Sequence, residues 1–310
     1  MIWLTWRQHR AALIVGLIAV CGIGGIAVAT GIQMHHAFAA VHAADLRAGD
    51  ARAAAQIDIF THNYWAIGNL PWRFLLFLPA LIGMFVGAPL LSRELESGTY
   101  RLAWTQSISR SRWLAVRLGL LTLVTVVLSL LLGMVLYWFY APWAALSGRA
   151  EAFASIGPAF AARMLFAMFL GVAMGALIRR VVAAMAATAG VWIAIEFVRT
   201  FWLRPHYLPP LTITVPSNKL VDTNAYLSQW WVDPAGHRLS SVQFDPLAQG
   251  LAQKGVAAEH WLLAHHYVMW ASVQPDSRFW AFQAIETASL CAVSAMLVAL
   301  TFWLVRRRVS

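Results

Sequence analysis

The sequence is poor in charge and in cysteine. Only 12% of its 310 residues are charged and only two are cysteine, whereas a soluble domain carries about twice that charged fraction. The shortage excludes an ordinary water-soluble globule. Cys21 and Cys291 both fall inside apolar runs, so no disulfide framework is expected; buried free thiols are. Lysine is confined to Lys219 and Lys254, so the net charge of +10 comes from arginine. No G-x-x-x-x-G-K-[ST] stretch is present, so the chain has no loop to cradle ATP phosphates. "EHWLLAHH", with His260, His265 and His266, is not HExxH, and His35, His36 and His42 show no ligand spacing either. No metal is expected. No Ser-His-Asp or paired-carboxylate pattern stands out, so no catalytic residue is assigned.

What is abundant is apolar: 60% of the residues are hydrophobic. Six runs are long enough to cross a bilayer, at 11–32, 72–91, 113–140, 157–178, 181–203 and 279–305. Helices are expected throughout, since they satisfy their own backbone groups in lipid. Arg7 and Arg10 precede the first run as in a signal peptide, but Ala11–Ile32 is too long for an h-region. A retained first span is expected. Pro79 and Pro89 predict a kink in the second. Small residues predict close helix packing in the fourth (Gly171, Gly175) and fifth (Ala183 with Ala187, Ala186 with Gly190).

Orientation follows from arginine. With the N-terminus inside, the short inner connections collect twelve basic residues against Glu94 and Glu96, while the outer segments are far longer and hold nine acids. The positive-inside rule then gives N-in, C-in. Trp72, Trp113, Trp143, Trp202, Trp280 and Trp303 sit near span ends, as in an aromatic belt. The fold class is an all-α polytopic membrane protein of six helices with an external cap. Residues 1–203 comprise an interfacial helix (Trp3, Trp6, Arg7, Arg10), spans one to five, an external insertion at 33–71 with a break near Gly49, and a cytoplasmic loop at 92–112. Residues 204–278 form a small mixed α/β insertion: "LTITV" and "SQWWVDPAGHRLSSV" have strand alternation and turn residues, and "AAEHWLLAHHYVMWASV" reads as an amphipathic helix. Residues 279–310 are span six and its tail.

Four charges fall inside the spans: Arg163, Glu196, Arg199 and Glu286. At about 1.5 Å per residue they lie about 6 to 10 Å below the outer span ends. Intramembrane charges are commonly paired, so one cluster joining spans four, five and six is expected. A structural ion-pair network is the simpler reading, and a place on the substrate path the other.

The loop after the second span carries the most specific signal. "Arg93-Glu94-Leu95-Glu96-Ser97-Gly98-Thr99", then "Thr105-Gln106-Ser107-Ile108-Ser109-Arg110-Ser111-Arg112" and a basic start to the next span, resembles the corresponding loop of type-2 ABC (ATP-binding cassette) transporter permeases. "QPDSRFWAFQAIE" and the ending "WLVRRR" are similar to such permeases from actinobacteria. The resemblance implies the permease subunit of an exporter in a bacterial plasma membrane. Such permeases work as a dimer, here a homodimer, with a separate cytoplasmic ATPase dimer that binds ATP and Mg. It also implies a coupling helix carrying Arg93, Glu94, Glu96, Gly98, Thr99, Arg101 and Arg110. No nucleic-acid partner is implied. The long 204–278 insertion departs from compact drug and polysaccharide exporters, so no substrate follows. A membrane enzyme with its active site in the cap, or a peptide-sensing or immunity component, are the alternatives.

Overall fold

The computed structural model describes residues 2–41, 51–98, 109–215, 222–253 and 257–307. Six helices are long and apolar enough to cross a membrane, and a three-stranded sheet lies between the fifth and sixth in sequence. The chain is a multi-pass membrane protein. Helix α1 runs unbroken from Ile2 to Ala40, so no helix break separates the N-terminal residues from the first span. The side chains of Trp3, Trp6, Arg7 and Arg10 lie outside the described ones. Helix α2 (Ala51–Leu75) runs across residue 71, and the expected break near Gly49 lies outside the described residues. Phe60 of α2 packs on Phe38 of α1 and on Trp143, at centroid distances of 5.5 and 5.6 Å.

The second span is α3 (Leu78–Ile82), a π-turn (Gly83–Gly87) and α4 (Ala88–Ser97). The π-turn has a cause. Pro89 has no N–H to donate and its ring crowds the carbonyl four residues back. One extra residue in the turn relieves this, and the Ala88 N–H bonds Gly83 O instead. The third span is α5 (Arg110–Ser147), whose 38 residues make about 57 Å of helix, well beyond the roughly 30 Å hydrocarbon core. Ser109 caps it, its hydroxyl accepting from the Arg112 N–H at 3.4 Å. Helix α6 (Pro158–Ile178) starts with proline at its first position, as suits a helix start. Only Arg179 and Arg180 separate it from α7 (Val181–Val198).

Helix α6 is the hub, packed against the second, third, fifth and sixth spans. Its close contact with the second span rests on glycine. A Cβ on Gly171 would run into the Gly83 carbonyl, and one on Gly175 into the Ala88 carbonyl, each well inside 3.0 Å. Gly83 and Gly87 meet α6 backbone oxygens as closely from the other side. With no side chains between them the two backbones approach directly. The fifth span differs from expectation. It packs through Ala184, Thr188, Trp192 and Glu196, all buried at steps of four residues. Ala183, Ala186 and Gly190 lie off that stripe and are exposed, and a Cβ on Gly190 meets nothing within 4 Å. Cys21 and Cys291 are likewise exposed rather than buried.

The fifth span ends in a second π-turn (Arg199–Leu203) and a 3-10 turn (Arg204–His206). Strands β1 (Leu211–Thr214) and β2 (Ala225–Val232) follow, then α8 (Ser241–Gln253), α9 (Ala258–Ala264) and β3 (Val268–Gln274). The order is β1-β3-β2, all antiparallel, with Leu211 opposite Val273 and Trp230 opposite Trp270. The expected helix over "AAEHWLLAHHYVMWASV" is half correct. It stops at Ala264, and from Val268 the alternating β-branched and aromatic residues form the central strand. The sixth span is α10 (Phe279–Arg307).

Gly171→Val should split the contact between spans two and four, an overpacking that costs about 1–3 kcal/mol or more. Thermal unfolding in a mild detergent should drop by several degrees, whereas Gly119→Val, with nothing within 4 Å of its Cβ, should leave it unchanged.

Candidate functional site

Two polar assemblies stand at opposite ends of the fifth span. At its far end, the π-turn before Pro205 sets the geometry. In a regular helix, residues five apart diverge by about 140°. The wider turn at Arg199–Leu203 brings Arg199 and Arg204 to one side, and both bond Glu286 of α10. Arg204 forks onto the carboxylate at 3.1 and 3.2 Å.

Glu196, one turn earlier, accepts from Arg163 of α6 at 2.5 Å and from Arg199. Thr200 adds a bond to Glu196 at 3.3 Å. Arg163 also donates to the Ala154 carbonyl in the loop before α6. The four expected residues Arg163, Glu196, Arg199 and Glu286 therefore meet, all buried, and link spans four, five and six. Tyr207 donates to Glu286 at 3.4 Å. Burial, then the Glu286 carboxylate, push its phenol up to about 12, so it keeps its proton.

Two further contacts brace this end. Gln283, one turn before Glu286, donates to Phe153 O and Ile156 O at 3.0 and 3.1 Å and accepts from Ala159 N at 2.9 Å. It thereby satisfies both the buried loop and the open first turn of α6. Arg149 meets Asp276 through both carboxylate oxygens, at 2.6 to 3.1 Å, and lies over the Phe279 ring. Its hydrogen bonds to Asp276 hold the guanidinium above its ordinary value.

At the near end, the acidic motif closes the second span. Gly98 takes φ +70°, the left-handed turn that commonly ends a helix after its last residue. Glu94 bonds Arg117 of α5, which is buried and stacked on Trp113 at 4.1 Å. The second oxygen of Glu94, Oε2, is buried and accepts nothing among the described residues. Glu96 accepts the Val181 N–H at 2.8 Å. It satisfies the first turn of α7 and places a negative charge at the positive end of that helix. Arg93 is exposed. Thr99 and Arg101 lie outside the described residues, as does the side chain of Arg110.

Sequence reasoning placed Arg204 in the cap, because the apolar run ends at Leu203, and counted Arg117 only as a topology signal. Gln283 was missed, although a glutamine one turn before Glu286 in an apolar run was a signal. Of the histidines, His35 stacks on Trp138 with centroids 4.6 Å apart, and His265 on Trp261 at 3.8 Å.

Glu286→Gln should destabilise the protein by about 3–5 kcal/mol, because it leaves the buried Arg199 and the half-buried Arg204 guanidiniums facing a neutral amide. Arg204→Gln should cost less, since it removes positive charge from a network of three arginines and two glutamates. In a double-mutant cycle, Arg199→Gln should recover part of the Glu286→Gln loss. Unfolding curves of the wild type, the three single variants and the double variant measure all three effects.

No curated protein and no solved structure matches the chain. The family model described as ABC-2 membrane transporter related matches residues 15–204. That match covers spans one to five and both polar assemblies except Tyr207, Asp276, Gln283 and Glu286. With six spans and the acidic motif at the end of the second, the chain belongs to the ABC-2 membrane transporter related family and is a membrane permease component of an ABC transporter.

Proposed function

We propose that this chain forms the substrate path of an exporter, working as two identical copies on a separate cytoplasmic ATPase dimer that binds ATP and Mg. The observation that carries the reading is the double tie at the end of the second span. Glu94 holds Arg117 on the third span, and Glu96 holds the Val181 amide at the start of the fifth. A push on the segment from Arg93 to Arg110 therefore reaches three spans at once. In this reading Arg93, Gly98, Thr99, Arg101 and Arg110 dock on the ATPase, while Glu94 and Glu96 pass its movement on. The positive-inside count supports a cytoplasmic place for this end, and the membrane in this reading is a bacterial plasma membrane. The start of α1, with Trp3, Trp6, Arg7 and Arg10, lies at the inner headgroups beside it.

Pairing is supported by the fifth span. Its buried stripe serves this chain, and its exposed small residues Ala183, Ala186 and Gly190 leave a face on which a second helix can approach closely. ATP-driven closure of the ATPase re-tilts the spans of both copies. The fourth span and its partners move as a block, since the Gly171 contact leaves no room for sliding.

Glu94→Arg and Glu96→Arg should each abolish substrate-stimulated ATP hydrolysis in the purified complex while leaving membrane insertion intact. The swap Glu94→Arg with Arg117→Glu restores the bridge and should recover at least a third of the rate. A chain that purifies without any ATPase, or a Glu96→Arg variant with full activity, contradicts the proposal.

A further inference from the structure

The charges around the outer ion network do not balance. Arg163, Arg199 and Arg204 share only Glu196 and Glu286. Arg149 is matched by Asp276. Arg278 donates to neutral oxygens, Pro209 O at 2.7 Å and Gln274 Oε1 at 2.9 Å. Asp222 accepts from Asn224 and Tyr226, both neutral, and so offsets one of these positive charges. One positive charge is thus in excess in the buried three-arginine network, and the Nε–H groups of Arg163 and Arg199 are buried without a partner among the described residues. An unmatched guanidinium in low dielectric attracts an anion strongly.

A cavity of about 190 Å³ lies against this excess, between the sheet and the ends of spans five and six. Arg204, Arg278, Gln274 and Asp276, whose carboxylate Arg149 neutralises, stand on its wall, and Phe153, Leu227, Phe279 and Phe282 form its apolar side. Arg204 is partly exposed, unlike the arginines behind it. The volume is below the roughly 300–1,000 Å³ of sites for drug-sized ligands. It suits a small charged head with a few carbons.

The geometry points to a binding site for a short amphiphile with an anionic head, a carboxylate or a phosphate monoester, whose head meets Arg204 and Arg278 and whose carbons lie on the phenylalanines. Arginine forks match the two or three oxygens of such heads. A neutral alcohol leaves the excess charge unmet, and a bare anion leaves the apolar wall uncovered. The site stands whether or not it lies on a transport route.

The test is photolabelling of the full chain in phosphatidylcholine nanodiscs with a diazirine-bearing hexanoate. Labelled peptides should contain residues 225–227 or 279–282, and unlabelled hexanoate or hexyl phosphate should suppress the labelling. Hexanol, acetate and inorganic phosphate at the same concentration should not. Arg278→Gln, outside the three-arginine network, should weaken labelling at least tenfold. Leu227→Trp, which fills the cavity from β2, should do the same if Arg278→Gln fails to fold. Equal suppression by hexanol or by inorganic phosphate, or full labelling of a folded variant, overturns the site.

Discussion

A guanidinium carried out of water into a hydrocarbon slab keeps its charge only where carboxylates meet it. Arg163 and Arg199 are both buried within spans, and each must find an acid on another element or one turn away on its own. That requirement fixes how spans four, five and six stand at their cap-side ends. Arg163 fixes α6 to α7 through Glu196, and Arg199 fixes α7 to α10 through Glu286. The π-turn at the end of the fifth span follows from the same demand. Pro205 makes the local change inexpensive, and the change lets residues 199 and 204 reach one carboxylate.

Backbone contact does for the other half what charge does here. The second and fourth spans meet through Gly83, Gly87, Gly171 and Gly175 with nothing between the backbones. Such an interface has one arrangement and tolerates little sliding. The hub helix α6 is therefore held on one side by glycine packing and on another by ion pairs. The Glu94 and Glu96 ties sit at the end of the very helix that the glycines clamp. Disturbance at the acidic motif thus has a continuous path into the block, and the cap rests on the far end through Gln274 and Arg278, which bond the carbonyls of residues 205, 208 and 209.

Much of this was readable in the sequence, and what was not has physical reasons. Span positions follow from apolar length alone, and a charge in such a run is conspicuous, so Arg163, Glu196, Arg199 and Glu286 could be named as one cluster. Arg204 could not, because its role depends on a π-turn that regular helical counting does not contain. Gly171 and Gly175 signalled close packing correctly, yet the same signal at Ala183 and Gly190 pointed to a face that is exposed among the described residues. Small residues state that a helix can be approached, not by whom. Strand β3 was hidden behind α9, since "HYVMWASV" suits either period until the pairing with β1 and β2 decides it. The partners of Glu94 and Glu96 lie 23 and 85 residues away along the chain, and no local pattern announces such contacts.

The cohesion of the block is the claim on which the coupling account stands. It is tested most directly by pulsed electron resonance on the assembled transporter, with Cys21 and Cys291 replaced and spin labels at positions 97 and 182, beyond the Glu96–Val181 tie. The account predicts one intramolecular distance distribution that is the same in the nucleotide-free and ATP-trapped states, because the ends of spans two and five travel together. A distribution that shifts or splits on ATP binding contradicts it.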